Sequence, residues 1–116
     1  MKVHHLFADE DGESHFRDLA IDWTASSRDG TLSAPVAVKT LVFRSTPADY
    51  FNDWHNPPRK QFVINLDAAV EITASDGESR IIGPGEVLLL EDVTGKGHLG
   101  RAVDGRIRHS ILVALD

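Results

Sequence analysis

Short apolar runs recur along the chain with glycine or proline between them, and none of them keeps the 3.6-residue period of an amphipathic helix. Val36–Phe43 (VAVKTLVF) is rich in β-branched residues and bracketed by Pro35 and Pro47, which predicts a strand. Gln61–Leu66 (QFVINL), Ala69–Ala74 (AVEITA) and Ser79–Ile82 follow as strands, with Asp76-Gly77 as a tight turn, a pattern that reads as an antiparallel meander. Gly83-Pro84-Gly85 then breaks the chain before Glu86–Leu90 (EVLLL), whose length favours a buried strand over a helix. Beyond a second glycine loop, Thr94–Gly97, the runs His98–Val103 and Ile107–Leu115 flank Asp104-Gly105, a strong short-range hairpin signal.

Thr46–Arg59 stands apart. It holds Pro47, Pro57 and Pro58, Asn52 and Asn56, and the aromatics Tyr50, Phe51 and Trp54, a mixture that cannot propagate a helix and predicts an ordered functional loop. The N-terminal part is polar, and Asp18–Trp23 (DLAIDW) suits a strand or one helical turn equally. About seven or eight short strands punctuated by Gly and Pro place the chain in the all-β class, as a sandwich, jelly roll or small barrel.

At 116 residues and 41% hydrophobic, the chain fits one domain able to bury an ordinary core. We divide it into an N-terminal extension with the first strands (1–30) and a barrel (31–116). There is no cysteine, so disulfides and thiolate zinc sites are excluded and any metal must take nitrogen or oxygen ligands. The formal charge of −6 arises from 18 acidic and 12 basic residues, with the basic ones scattered, which argues against nucleic acid as a partner. No stretch approaches the apolar length of a membrane span, and the opening MKVHHLFADEDGES lacks the apolar core of a signal peptide, so a cytoplasmic protein is expected. His4 and His5 are expected to be solvated near the terminus.

From Trp54 to His98 the order of residues resembles the cupin family. In HNPPRKQFVINLDA, His55 stands at the first histidine of the first cupin motif, Pro57 where the second belongs, Gln61 at the glutamate and Ala68 at the closing glycine. Gly85-Glu86-Val87 through Gly97-His98 is similar to the second motif, with His98 as its histidine and Glu91 where a proline is usual. The resemblance covers roughly the central and C-terminal two thirds of the chain. It implies a cupin-type double-stranded β-helix, or jelly-roll barrel, with His55, Gln61 and His98 converging inside and a homodimer as the assembled form.

In that setting His55, His98 and Gln61 are candidate ligands for iron, manganese, nickel, copper or zinc. Pro57 offers no donor and Gln61 no charge, so a metal-free site is an equal expectation. The plainer readings are hydrogen-bonding roles: His55 capping its loop and Gln61 a satisfied buried amide. His98, His55 and Asp92 are candidate catalytic groups, Asp92 orienting His98 or acting as a base. Trp54, Tyr50, Phe51, Arg59 and Gln61 are candidate substrate contacts, with ordinary packing or surface pairing as the alternative. His109 alternates with Ile107, Ile111 and Val113 and is expected to face the interior with them, as a satisfied core histidine.

Gly95-Lys96-Gly97 lacks the rest of a Walker pattern, and no G-x-S-x-G stretch occurs. Three functions remain open: a metal-assisted dioxygenase, isomerase, cyclase or lyase acting on a small molecule; a metal-free proton-transfer isomerase or cyclase; and a non-catalytic small-ligand-binding domain. With no DNA-binding segment attached, a self-contained regulator is disfavoured.

Overall fold

A computed structural model describes residues 1–116, and every regular element in it is a strand. In chain order these are β1 (Val3–Ala8), β2 (Ser14–Asp18), β3 (Trp23–Ser27), β4 (Gly30–Ser33), β5 (Thr40–Thr46) and β6 (Phe51–His55). They continue with β7 (Gln61–Asn65), β8 (Val70–Ala74), β9 (Ser79–Ile82), β10 (Val87–Glu91), β11 (His98–Ala102) and β12 (Arg108–Ala114). The six-stranded sheet runs β2-β1-β10-β7-β12-β5, the four-stranded sheet β6-β11-β8-β9, and β3-β4 form a separate hairpin. No helix is long and apolar enough to cross a membrane.

The two larger sheets share one core. Leu6, Phe16, Val63, Leu88 and Leu90 of the six-stranded sheet pack with Val70, Ile72, Ala74 and Ile82 of the four-stranded sheet, and Tyr50 and Leu112 close its edge. Alternation sets which side chains point inward: in both β7 and β8 every second residue is buried. Leu88, Leu89 and Leu90 are all buried, in keeping with the position of β10 between β1, its parallel partner, and β7.

Several expectations are corrected by this topology. β7 and β8 lie in different sheets, so the meander reduces to the β8-β9 hairpin across Asp76-Gly77. Asp104-Gly105 likewise turns the chain from β11 in one sheet to β12 in the other and closes no hairpin. A turn signal fixes local geometry, whereas the choice of partner is made by which faces bury apolar surface. Val36 and Val38, expected in a strand, lie exposed ahead of β5, and the expected loop 46–59 contains β6. Asp18 ends β2 and Trp23 begins β3, so Asp18–Trp23 is chiefly a connection.

The polar N-terminal segment supplies β1 and β2, and there the histidines are buried rather than solvated: His4 is 2% and His5 4% exposed. His4 Nε2 lies 2.5 Å from Glu86 Oε1, and that hydrogen bond holds the Glu86 carboxyl below its usual value. Arg17 Nε donates to His5 Nδ1 at 2.9 Å, while His5 Nε2 sits 2.7 Å from Glu91 without hydrogen-bond alignment. Burial pushes His5 below the usual imidazole value, with Glu91 opposing it.

His15, at the β1-β2 end, joins two turns through Asp9 at 2.7 Å and Asp76 at 2.9 Å. The hydrogen bond to Asp9 raises its pKa above 6.5, with Asp76 adding to it and partial burial opposing. A raised histidine contributes stability that is complete below its unfolded pKa and is lost as pH rises through the folded value. Melting temperatures of wild type and His15→Gln are therefore expected to differ most near about pH 5–6 and to converge by about pH 9. A constant offset across that range would show that the contacts do not depend on the imidazolium.

Candidate functional site

Between the two larger sheets lies a cavity of about 170 Å³. Its apolar wall is core side chain: Val63, Val70, Ile72, Ile82, Leu88 and Leu90. Its polar groups come in two clusters on opposite sheets, and no Asp or Glu lines it.

The first cluster sits on the four-stranded sheet. β6 and β11 pair antiparallel with His55 opposite His98, and their rings meet edge to face at 4.4 Å between centroids. His98 Nδ1 donates to Asp92 Oδ2 at 2.7 Å, which leaves its Nε2 as the free lone pair. His55 Nδ1 donates to the Asp53 carbonyl at 2.6 Å, and Asn52 Nδ2 lies 3.2 Å from its Nε2 as donor. These tautomers follow from the neighbouring groups. Asp92 is fully buried, and its Oδ1 has no protein partner. A buried carboxylate needs a partner, and here its side-chain partner is His98.

The glycine loop before β11 fixes this pair. Asn56, next to His55, donates to the carbonyls of Asp92 at 3.0 Å and Gly95 at 3.2 Å. Ser14 Oγ donates to the Gly97 carbonyl at 2.7 Å, and Lys96 pairs with Glu13 at 2.6 Å. Gly97 adopts φ +71° with its Cα turned against the His55 carbonyl, where no side chain fits. Backbone contact at Gly97 thus sets the approach of His55 to His98.

The second cluster sits on the six-stranded sheet, where Arg44, Ser110 and Asn65 are cross-strand neighbours on β5, β12 and β7. Arg108 is 4% exposed, and its Nη1 donates to Asn65 Oδ1 at 2.9 Å and to Ser110 Oγ at 3.2 Å. Asn65 Nδ2 donates to the Ile82 carbonyl at 2.9 Å, tying the network to the other sheet. Arg44 Nε is buried without a partner. Burial lowers the Arg108 pKa, and the charge of Arg44 lowers it further. The Arg108 guanidinium also stands 5.5 Å over the Tyr50 ring.

Of the residues singled out in the sequence, His55, His98, Gln61 and Tyr50 line the cavity together, with Asp92 directly behind His98. Three expected substrate contacts lie elsewhere. Phe51 is 61% exposed, Trp54 borders an outer groove with Ser75 and Lys96, and Arg59 borders another beside Val42 and Phe43. Strand alternation turns Phe51 away from the cavity beside the inward Asn52, and a register shift of β6 against β11 then brings His55 inward and leaves Trp54 outside. His109 is not a core histidine: it points outward, 2.5 Å from Asp67, because Arg108 and Ser110 take the inward positions of β12. Nowhere do three or more His, Asp or Glu side chains converge as a metal-binding group.

Arg44, Arg108 and Asn65 went unread in the sequence. The signal was present in Arg44 and Arg108, charged residues inside otherwise apolar strands that are expensive to bury without a purpose.

No family model matches the chain, and no curated protein matches it. The arguments for its function are therefore those of the site itself.

Proposed function

We propose that the chain is a cupin-type jelly roll and a small-molecule enzyme in which His98, held by Asp92, moves protons within the cavity. In support of the fold, the chain passes between the two larger sheets from β5 to β6, β7 to β8, β10 to β11 and β11 to β12, and both motif histidines meet on adjacent strands. The observation that carries the function is the buried His98–Asp92 pair on the wall of a cavity. Asp92 fixes one tautomer and stabilises the imidazolium formed when Nε2 takes a proton.

The resemblance also brings in a divalent metal. His98 has Nδ1 on Asp92 and a free Nε2, whereas His55 has Nδ1 on the Asp53 carbonyl and Nε2 facing the Asn52 amide, so one imidazole nitrogen stands ready as a donor. The third candidate, Gln61, is a neutral amide, and the only formal charges lining the cavity are those of Arg44 and Arg108. A donor set without negative charge, facing two guanidinium groups, does not fit a resident divalent cation.

The test is exchange of carbon-bound hydrogen with D2O, followed by NMR for a panel of small carbonyl compounds and untagged protein, with and without chelator. Exchange in the presence of chelator, reduced about 10²–10⁴-fold in His98→Asn, is expected. Loss of exchange on chelation, with one metal per chain by elemental analysis, would replace this reading with the metal-assisted one. Saturable binding without exchange would make the chain a ligand-binding domain.

We propose, further, that the chain forms a homodimer through the outer face of the six-stranded sheet. That face is apolar at its β5 edge: Leu41 and Phe43 on β5 are 54% and 77% exposed, beside Ile111 and Val113 on β12. Every residue of the β3-β4 hairpin is exposed, and an isolated two-stranded hairpin is marginally stable in water. A second copy would cover the apolar face and the open edge of β5 together.

A further inference from the structure

Taking the cavity as a ligand site, as the proposed function does, we infer that its ligand carries a carboxylate bound by Arg44 and Arg108, on a small apolar body that rests against the opposite wall. The chain as a whole is at −6, yet this cavity is lined by two guanidinium groups and no carboxylate. Elsewhere Arg80 pairs with Asp18 and Glu78 and Arg101 with Glu71, and the other arginines without an acid partner, Arg17, Arg28, Arg59 and Arg106, are exposed. Arg44 and Arg108 have none, although Arg108 and the Nε of Arg44 are buried, and the charge of Arg44 disfavours that of Arg108.

Burying such a pair costs stability, and chains seldom retain it unless something offsets it. Asn65 and Ser110 take up donors of Arg108 without neutralising its charge. They fix one face of its planar fork and leave the remaining donors for an anion, the geometry that suits a carboxylate. The unpartnered buried Nε of Arg44 supplies a further unsatisfied donor at the same wall. Opposite, on the four-stranded sheet, stand Val70, Ile72 and Ile82, which would accept a short carbon chain. A cavity of about 170 Å³ is small beside the roughly 300–1,000 Å³ of ordinary ligand pockets, so the ligand is a small acid of few carbons. His98 and His55 arise from the facing sheet, which would place the acid's carbon skeleton, rather than its carboxylate, toward the proton-moving side chain.

The test uses butyrate, its neutral isostere butyramide, and inorganic phosphate as probes, titrated into untagged wild type, Arg44→Met, Arg44→Lys and Arg101→Met and followed by amide NMR shifts. Butyrate is expected to saturate shifts in the cavity strands, with an affinity at least about tenfold above that of butyramide. Arg44→Met should remove that preference, Arg44→Lys should keep part of it, and Arg101→Met, an arginine outside the cavity, should leave it unchanged. Equal binding of butyrate and butyramide, absence of saturable butyrate binding, or phosphate binding in place of butyrate would each overturn the inference. The two proposals fail separately. Carboxylate binding without His98-dependent exchange would sink the enzymatic reading alone, whereas His98-dependent exchange on neutral compounds without a carboxylate preference would sink the inference alone.

Discussion

Replacing Gly97 by alanine is expected to destabilise the chain by about 2–4 kcal/mol and to separate His55 from His98. Two effects add. The residue sits at φ +71°, where a side chain costs about 1–2 kcal/mol, and its new methyl would overlap the carbonyl of His55. That carbonyl belongs to β6, and β6 is tied to the glycine loop through Asn56, so the strand cannot move aside without breaking bonds to Asp92 and Gly95. Gly105→Ala is the control, because Gly105 also has a positive φ, +64°, but nothing within 4 Å of the position a Cβ would take. Urea unfolding of both variants should show the Gly97 change as the larger. Equal losses would mean that the contact with His55 does not set the site.

Phe43→Glu is expected to convert a dimer to a monomer, weakening association by about a hundredfold or more at the micromolar concentrations of light scattering. Phe43 is 77% exposed and lies opposite Ile111 on β12, so a carboxylate there would be buried without a partner in any assembly that covers this face. The same change should leave the folded monomer intact, since Phe43 packs against nothing in the core. A wild-type chain that already scatters as a monomer would remove the proposed interface, and the exposed β3-β4 hairpin would then need another partner.

Much of the strand pattern was legible. From Gln61 to the C-terminus the apolar runs predicted β7 to β12 with small boundary shifts, because those strands carry the β-branched and aliphatic residues of the shared core. β1 and β2 were not recognisable in VHHLFA and SHFRD, whose polar side chains lie against partners as distant in sequence as Glu86 and Glu91. Strand pairing was equally hidden, since Asp76-Gly77 and Asp104-Gly105 look alike as turns and differ only in whether the following strand stays in the same sheet.

The site was half legible. The histidines and Asp92 stood out by type and spacing, and the structure brings them together. On β12 the expected inward set, His109 with Ile111 and Val113, was one residue out of register, and a slip of one exchanges the two faces of a strand. The slip came from assuming that apolar means inside. Here the inward positions carry Arg108 and Ser110 ahead of Leu112 and Ala114, while Ile111 and Val113 share the outer face with His109, so the strand lines a polar pocket on one side and a proposed interface on the other.

The central claim is that one cavity holds both a poised His98–Asp92 pair and the ligand-binding arginines. Nitrogen-15 NMR of the imidazoles during a butyrate titration tests it most directly. The account predicts that free His98 carries its proton on Nδ1, and that butyrate shifts the resonances of His98 and His55 while leaving those of the surface histidines His15 and His109 in place. A proton on Nε2 of His98, or shifts confined to His15 and His109, would contradict it.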